Sequence, residues 1–287
     1  MSNQIKHIIS AFDINMGGIL LKQALPAQEV EMVDPFLLLH HARFGYKDSA
    51  PAIQQGLGPH PHRGFTPVTF IIEGEVHHRD SRGNSQVAKE GEVQWMHAGV
   101  GIIHSERPSQ GLADRNGKQE IIQLWINSPA ISKMKPPSYQ YVPKNDIPVF
   151  YSEDESIANK LIAGNYEYSA AKIKAESELL IVWGKAEKDG EQQINIPKGY
   201  NAMLYVIKGE MDILTEKVGK KQLVVFENGV EEIAMTVKAD TQFLLLCGKP
   251  LNEKVMQQGP FVMNTDTEIW EAMRDYQMGK MGFLVEE

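Results

Sequence analysis

Arg63-Gly64-Phe65-Thr66-Pro67-Val68-Thr69-Phe70-Ile71-Ile72-Glu73-Gly74-Glu75-Val76 aligns without gaps to Lys198-Gly199-Tyr200-Asn201-Ala202-Met203-Leu204-Tyr205-Val206-Ile207-Lys208-Gly209-Glu210-Met211. Each copy reads as a strand, a Gly-Glu turn and a second strand, because a run of apolar and β-branched residues is interrupted by glycine. A β-unit repeated once at long spacing implies two similar barrels or sandwiches in tandem; a solenoid repeats at a several-fold shorter period.

Outward from the repeat, short apolar runs bounded by Gly, Pro, Asn and Asp recur at 121–126, 179–183 and 223–226, and these also read as strands. Helical periodicity emerges only near the end. There Thr265-Asp266-Thr267-Glu268 has capping-box spacing, and Ile269, Met273 and Tyr276 fall on one face before Gly279. The expected fold is therefore all-β, two tandem barrels with a short C-terminal α-helix. The Pro-rich stretch Lys135-Pro136-Pro137-Ser138 places the boundary, giving 1–135 and 136–287.

At 287 residues and 42% hydrophobic content the chain can bury two separate cores. A net charge of -8, with Lys and Arg scattered, offers no basic surface for phosphates, so direct nucleic-acid binding is not expected. No apolar run is long enough for a membrane span, and residues 1–7 lack the apolar core of a leader, so a cytoplasmic protein is expected. The single cysteine, Cys247, sits in the apolar run 243–247 and reads as a packed thiol.

Histidine placement localises the chemistry, because all nine histidines lie at or before His104. His60-Pro61-His62 puts two imidazoles at i and i+2, which on a strand point to one face; His104-Ser105-Glu106 repeats that geometry with an imidazole and a carboxylate. An isolated His-x-His usually marks two exposed or hydrogen-bonded histidines, but if the two pairs face each other inside one barrel, three imidazole nitrogens and one carboxylate oxygen converge on a point that suits a divalent metal. Iron, manganese, nickel, copper and zinc all suit these ligands. The repeat supplies an internal control: Asn195 and Pro197 occupy the positions of His60 and His62, so the second barrel is expected to lack the metal. His77, His78 and His97 could donate hydrogen bonds to the ligands but read first as ordinary turn or strand histidines; Trp95 and Met96 read as core before a substrate platform. Gly99 and Gly101 flank the turn that aims His104 and Glu106.

These residues resemble the pirins, a family of iron-binding bicupins. The likeness runs through Asp34-Pro35-Phe36-Leu37-Leu38-Leu39, His60-Pro61-His62-Arg63-Gly64-Phe65, His78-Arg79-Asp80-Ser81-Arg82-Gly83-Asn84, Val93-Gln94-Trp95-Met96, His104-Ser105-Glu106 and Gly259-Pro260-Phe261-Val262-Met263-Asn264-Thr265. The resemblance implies two cupin, jelly-roll-like barrels, with one metal, Fe(II) by family likeness, held by His60, His62, His104 and Glu106. It also implies a quercetin 2,3-dioxygenase type of reaction, in which a flavonol or related enolic or phenolic small molecule meets dioxygen. In that reading the metal is a Lewis acid and template, and Glu106 swings off it as the catalytic proton acceptor. A regulatory alternative also follows from the family: an iron-dependent redox-responsive protein that binds a transcription factor or a metabolic enzyme. A cupin isomerase, moving protons on a sugar without consuming oxygen, has no family support. Thr66, His97, His40, His41 and Gln86 depart from the family pattern; the last is expected in a turn.

Overall fold

The computed structural model describes residues 4–16, 18–46 and 50–286; Met1–Asn3, the start of the stretch read for a leader, lie outside them. Among the described residues the protein is mostly antiparallel strand, with two α-helices, Gln110–Asp114 and Asp266–Gln277. The short first helix, capped by the Ser109 side chain accepting from the Leu112 N–H, has too few residues to show helical periodicity in sequence. No helix of the described residues is long and apolar enough to cross a membrane.

Two compact units emerge, each from two chain segments: Met1–Leu39 with Asn145–Leu251, and His40–Lys144 with Asn252–Glu287. A single cut at 135/136, as expected from the prolines, divides the chain linearly, whereas these units exchange terminal segments. The exchange has a packing cause. Phe261, Met263, Ile269, Ala272 and Met281 bury themselves with Ile103 in one cluster, a long-range association that local composition does not reveal.

In the first unit a seven-stranded sheet orders Ile5–Ser10, Gln222–Phe226, Asn201–Lys208, Gln242–Gly248, Leu179–Ala186, Ile157–Ala163 and Val149–Tyr151. A four-stranded sheet of Gly190–Asn195, Glu232–Val237, Glu210–Ile213 and Glu216–Gly219 accompanies it. Side chains from both sheets, among them Leu161, Val182, Leu204, Phe243, Ile194, Met211 and Met235, form one apolar core, and Cys247 is buried within it. Each fully buried Leu, Ile or Phe contributes about 1.5–3 kcal/mol.

The second unit repeats the plan. Ser138–Val142, Val93–His97, Phe65–Glu73 and Lys118–Asn127 lie side by side in one sheet, and Leu57–His62, Ile102–Arg107, Glu75–Asp80 and Ser85–Lys89 form a four-stranded one. The sequence repeat is the crossing from the larger sheet to the smaller: Phe65–Glu73 turns at Gly74 into Glu75–Asp80, and Asn201–Lys208 turns at Gly209 into Glu210–Ile213. The two glycines have φ of 84° and 81°. Each barrel is thus a pair of facing sheets in the jelly-roll manner.

The C-terminal helix carries the expected capping box, Thr265 with Glu268. Ile269 and Ala272 are buried and Met273 packs beside them, while Tyr276 remains 40% exposed at the margin of that face.

Candidate metal centre

The four-stranded sheet of the second unit builds the site by alternation. In the antiparallel register His104 stands opposite His60 on one side and Asp80 on the other; Glu106 pairs with His78, and Ile102 with His62. Since successive side chains of a strand point to opposite faces, His60, His62, His78, Asp80, His104 and Glu106 share the inward face. Five of the six are buried; His60 is partly exposed. Gly99 and Gly101, with φ of 48° and 132°, shape the turn ahead of this strand, and a Cβ on Gly99 would lie 2.1 Å from the Lys135 carbonyl oxygen. Only glycine fits there.

His60, His62 and His104 converge, with one donor atom from each lying within 4.8 Å of the others. Their ring centroids are 4.8, 4.3 and 4.9 Å apart. His60 Nδ1 donates to the Gly58 carbonyl at 2.8 Å, which leaves its Nε2 with a lone pair. Nε2 of His104 and both ring nitrogens of His62 are buried without a hydrogen-bond partner of ordinary geometry. Burial holds the pKa of both rings well below the usual value, the neighbouring imidazoles push the same way, and the Pro260 carbonyl only weakly opposes this at His62. Unpaired buried nitrogens cost about 1–3 kcal/mol each unless something binds them. Three converging imidazoles, two of them with unpaired buried nitrogens, fit a borderline divalent metal.

Glu106 stands outside that trio. Its Oε1 accepts from the Thr69 hydroxyl and its Oε2 from the Gln123 amide, both at 2.8 Å, bonds that reach across from the larger sheet. The structure therefore brings together three of the four residues expected as ligands and holds the fourth on neighbouring strands. Tyr46 and Tyr139 have phenol pKa values raised by burial first and by the Glu106 charge in addition. Phe65 and Trp125 form an aromatic wall beside His62, at ring separations of 5.0 and 5.4 Å. Phe65 is fully buried, whereas Trp125 and His60 are only partly buried and mark the accessible edge of the cluster.

Sequence reasoning placed His78 first among ordinary strand histidines and only second as a donor beside the ligands. His78 is buried rather than an ordinary strand histidine: its Nε2 bonds Asp80 at 3.0 Å and its Nδ1 lies 3.3 Å from His104 Nδ1. The signal was available in the alternation of His78 and Asp80, which repeats that of the ligand pairs. His77 points the other way, towards the Ser85 hydroxyl. His41 bonds Glu120 at 2.7 Å, and burial lowers the pKa of His40 to about 4. Gln86, expected in a turn, is the second residue of the strand Ser85–Lys89, opposite His78, because the turn closes earlier on Asp80 and Asn84. Trp95 and Met96 are buried, as core residues should be.

A family model described as Pirin matches residues 18–126, and one described as Pirin C-terminal cupin domain matches residues 181–282. A Pseudomonas aeruginosa protein named "Putative quercetin 2,3-dioxygenase" is 37% identical over 250 residues, 86% of each chain. Pirin-1 of Arabidopsis thaliana is 32% identical over 285 residues, covering 97% of this chain and 94% of its own. Among solved structures, a quercetin 2,3-dioxygenase from Acinetobacter baumannii superposes with a TM-score of 0.90 at 33% identity, covering 99% of this chain and 100% of its own. The nickel(II) complex of the Escherichia coli pirin YhhW, at 19% identity and a TM-score of 0.69 over 85% of this chain and 99% of its own, shares the fold.

Proposed function

We propose, from the premise that this chain belongs to the pirin family, that His60, His62, His104 and Glu106 hold a divalent metal at which a flavonol or related enolic or phenolic molecule is oxidised by dioxygen. The observation that carries this reading is the set of buried, unpaired imidazole nitrogens at the centre of the histidine trio. Family likeness points to iron, and the donor set equally suits manganese, nickel, copper or zinc. When bound, the metal supplies Lewis acidity towards a substrate oxygen and a template for dioxygen.

The protein's own groups account for the rest. His60 presents Nε2 because its Nδ1–H is committed to Gly58. Glu106 is the proton acceptor: both its oxygens already accept hydrogen bonds, and Thr69 and Gln123 fix where it takes a proton from a substrate hydroxyl. Tyr46 and Tyr139, with raised pKa values, stay neutral and do not compete for that proton. Trp125, packed against the buried Phe65 at 4.3 Å between ring centroids, offers a partly exposed apolar ring suited to an aromatic molecule. The partly exposed edge at His60 and Trp125 favours an enzyme over the regulatory alternative, which needs no access to the cluster.

Oxygen uptake with quercetin after reconstitution with iron, manganese, nickel or copper tests this. Uptake lost in both His60→Ala and Glu106→Ala supports a dioxygenase at this centre. Metal binding without uptake on any flavonol overturns the reaction and leaves the regulatory reading.

A further inference from the structure

We propose that Asp80 and His78 are positioning residues that fix His104 as its Nδ1–H tautomer, so that its Nε2 lone pair faces His60 and His62. The purpose of this relay rests on the metal-centre reading; the tautomer itself does not.

Hydrogen-bond direction runs one way along the chain of contacts. Asp80 is buried at the end of the Glu75–Asp80 strand, and its Oδ1 accepts from the backbone N–H groups of Arg82 and Asn84 at 2.9 and 3.1 Å. Its Oδ2 accepts from the Asn84 amide at 2.8 Å and meets His78 Nε2 at 3.0 Å. Three N–H donors, the Arg82 and Asn84 backbone groups and the Asn84 amide, converge on the two oxygens, the arrangement that a carboxylate accepts. An ionised carboxylate only accepts, so His78 Nε2 must donate. With Nε2 donating, Nδ1 is the nitrogen of His78 left to accept, and the ring nitrogen it faces is His104 Nδ1 at 3.3 Å. That nitrogen must in turn carry the proton, which leaves His104 Nε2 deprotonated, the atom that lies buried and unpaired. Tyr139 stacks on His78 with centroids 4.2 Å apart and planes within 12°, and so holds the ring in the orientation the relay needs. A ring nitrogen bonded on its far side to an oriented acceptor is a better and more selective metal ligand.

The test is the imidazole nitrogen spectrum of the full-length, metal-free protein, with nickel(II) affinity by calorimetry as a second readout. In the wild type we expect His104 protonated at Nδ1 and His78 at Nε2. In Asp80→Asn the two backbone N–H groups keep the amide oxygen at the Oδ1 place, so the NH₂ group meets His78. Both rings should then invert, and nickel affinity should fall by about 10- to 100-fold. His78→Phe keeps the stack on Tyr139 but removes the acceptor, so it should abolish the tautomer preference of His104 even if Asp80→Asn does not fold. Wild-type His104 protonated at Nε2, a doubly protonated His78, or variants that weaken nickel binding with the tautomer unchanged would each overturn the relay. A wild type that binds no nickel overturns the metal-centre reading, while its spectrum still decides the relay.

Discussion

Thr66 Oγ1 lies 3.3 Å from His97 Nδ1, so two residues that depart from the pirin pattern at separate places in the chain face each other in the folded protein. His97 Nε2 donates to the Ser132 carbonyl at 3.2 Å, which makes Nδ1 the acceptor for the Thr66 hydroxyl and for Ser128, also at 3.3 Å. The two departures are one interaction, and neither residue belongs to the histidine trio.

Thr66→Val and His97→Thr should therefore be coupled. Each single change should destabilise by about 1–2 kcal/mol, since each removes one partner of a buried bond, and the double variant should cost less than their sum by about 0.5–1.5 kcal/mol. Urea denaturation of the four proteins reads this directly; additivity would mean that the contact contributes nothing.

Stability of the metal-free protein should fall below neutral pH. His40 titrates near 4 in the folded chain because it is buried, against an ordinary value of 6.5, and His62 and His104 are shifted the same way. Folded pKa values below the unfolded ones mean that the unfolded chain takes up protons first. The stability is present above pH about 6.5 and is lost as pH falls, at up to about 1.4 kcal/mol per pH unit for each ring. His40→Gln should flatten part of that slope in urea titrations at pH 7.5 and 5.5. Added metal should flatten more of it, because it competes with protons for the trio.

On the proposed reading, a change at Glu106 should affect turnover more than metal binding, because three of the four donors are histidines. Glu106→Gln keeps the size of the side chain and can still bond Thr69, but it cannot take a proton, so the loaded protein should lose about 10²–10⁴-fold in rate while the histidines retain metal. Gln123→Leu removes one bond from the Glu106 carboxylate without touching the trio. A smaller loss of rate, with metal content unchanged, is expected from steady-state oxygen uptake.

Within the second unit, Lys133 ties the C-terminal segment to the strands around Gly64 and Asn127. Its ammonium is buried and donates to the Gly64 carbonyl, Asn127 Oδ1 and the Val262 carbonyl at 2.7, 2.6 and 3.1 Å, and burial lowers its pKa to about 8. Lys133→Met leaves three acceptors unpaired and should cost about 2–4 kcal/mol, read as a lower denaturation midpoint. An unchanged midpoint would show that these acceptors find other donors.

Much of this is legible in the sequence. The Arg63 and Lys198 repeat encodes the sheet-to-sheet crossing of both units because strand alternation and the glycine turn are local properties. The spacing of His60 with His62 and of His104 with Glu106 encodes a shared face for the same reason. What stayed hidden depends on register and on long-range packing. His78 and Asp80 gain their meaning only from standing opposite Glu106 and His104. Glu106 bonds to Thr69 and Gln123, which lie on other strands. Phe261, Met263 and Met281 pack against Ile103 far from their neighbours in sequence.

The most direct test of the central claim is metal content and affinity of the purified protein titrated anaerobically with a divalent metal, for the wild type and for a variant with His60, His62 and His104 all changed to Ala. The account predicts one tightly bound ion per wild-type chain and none in the variant. A wild type that binds no ion, or a variant that binds as much as the wild type, would contradict it.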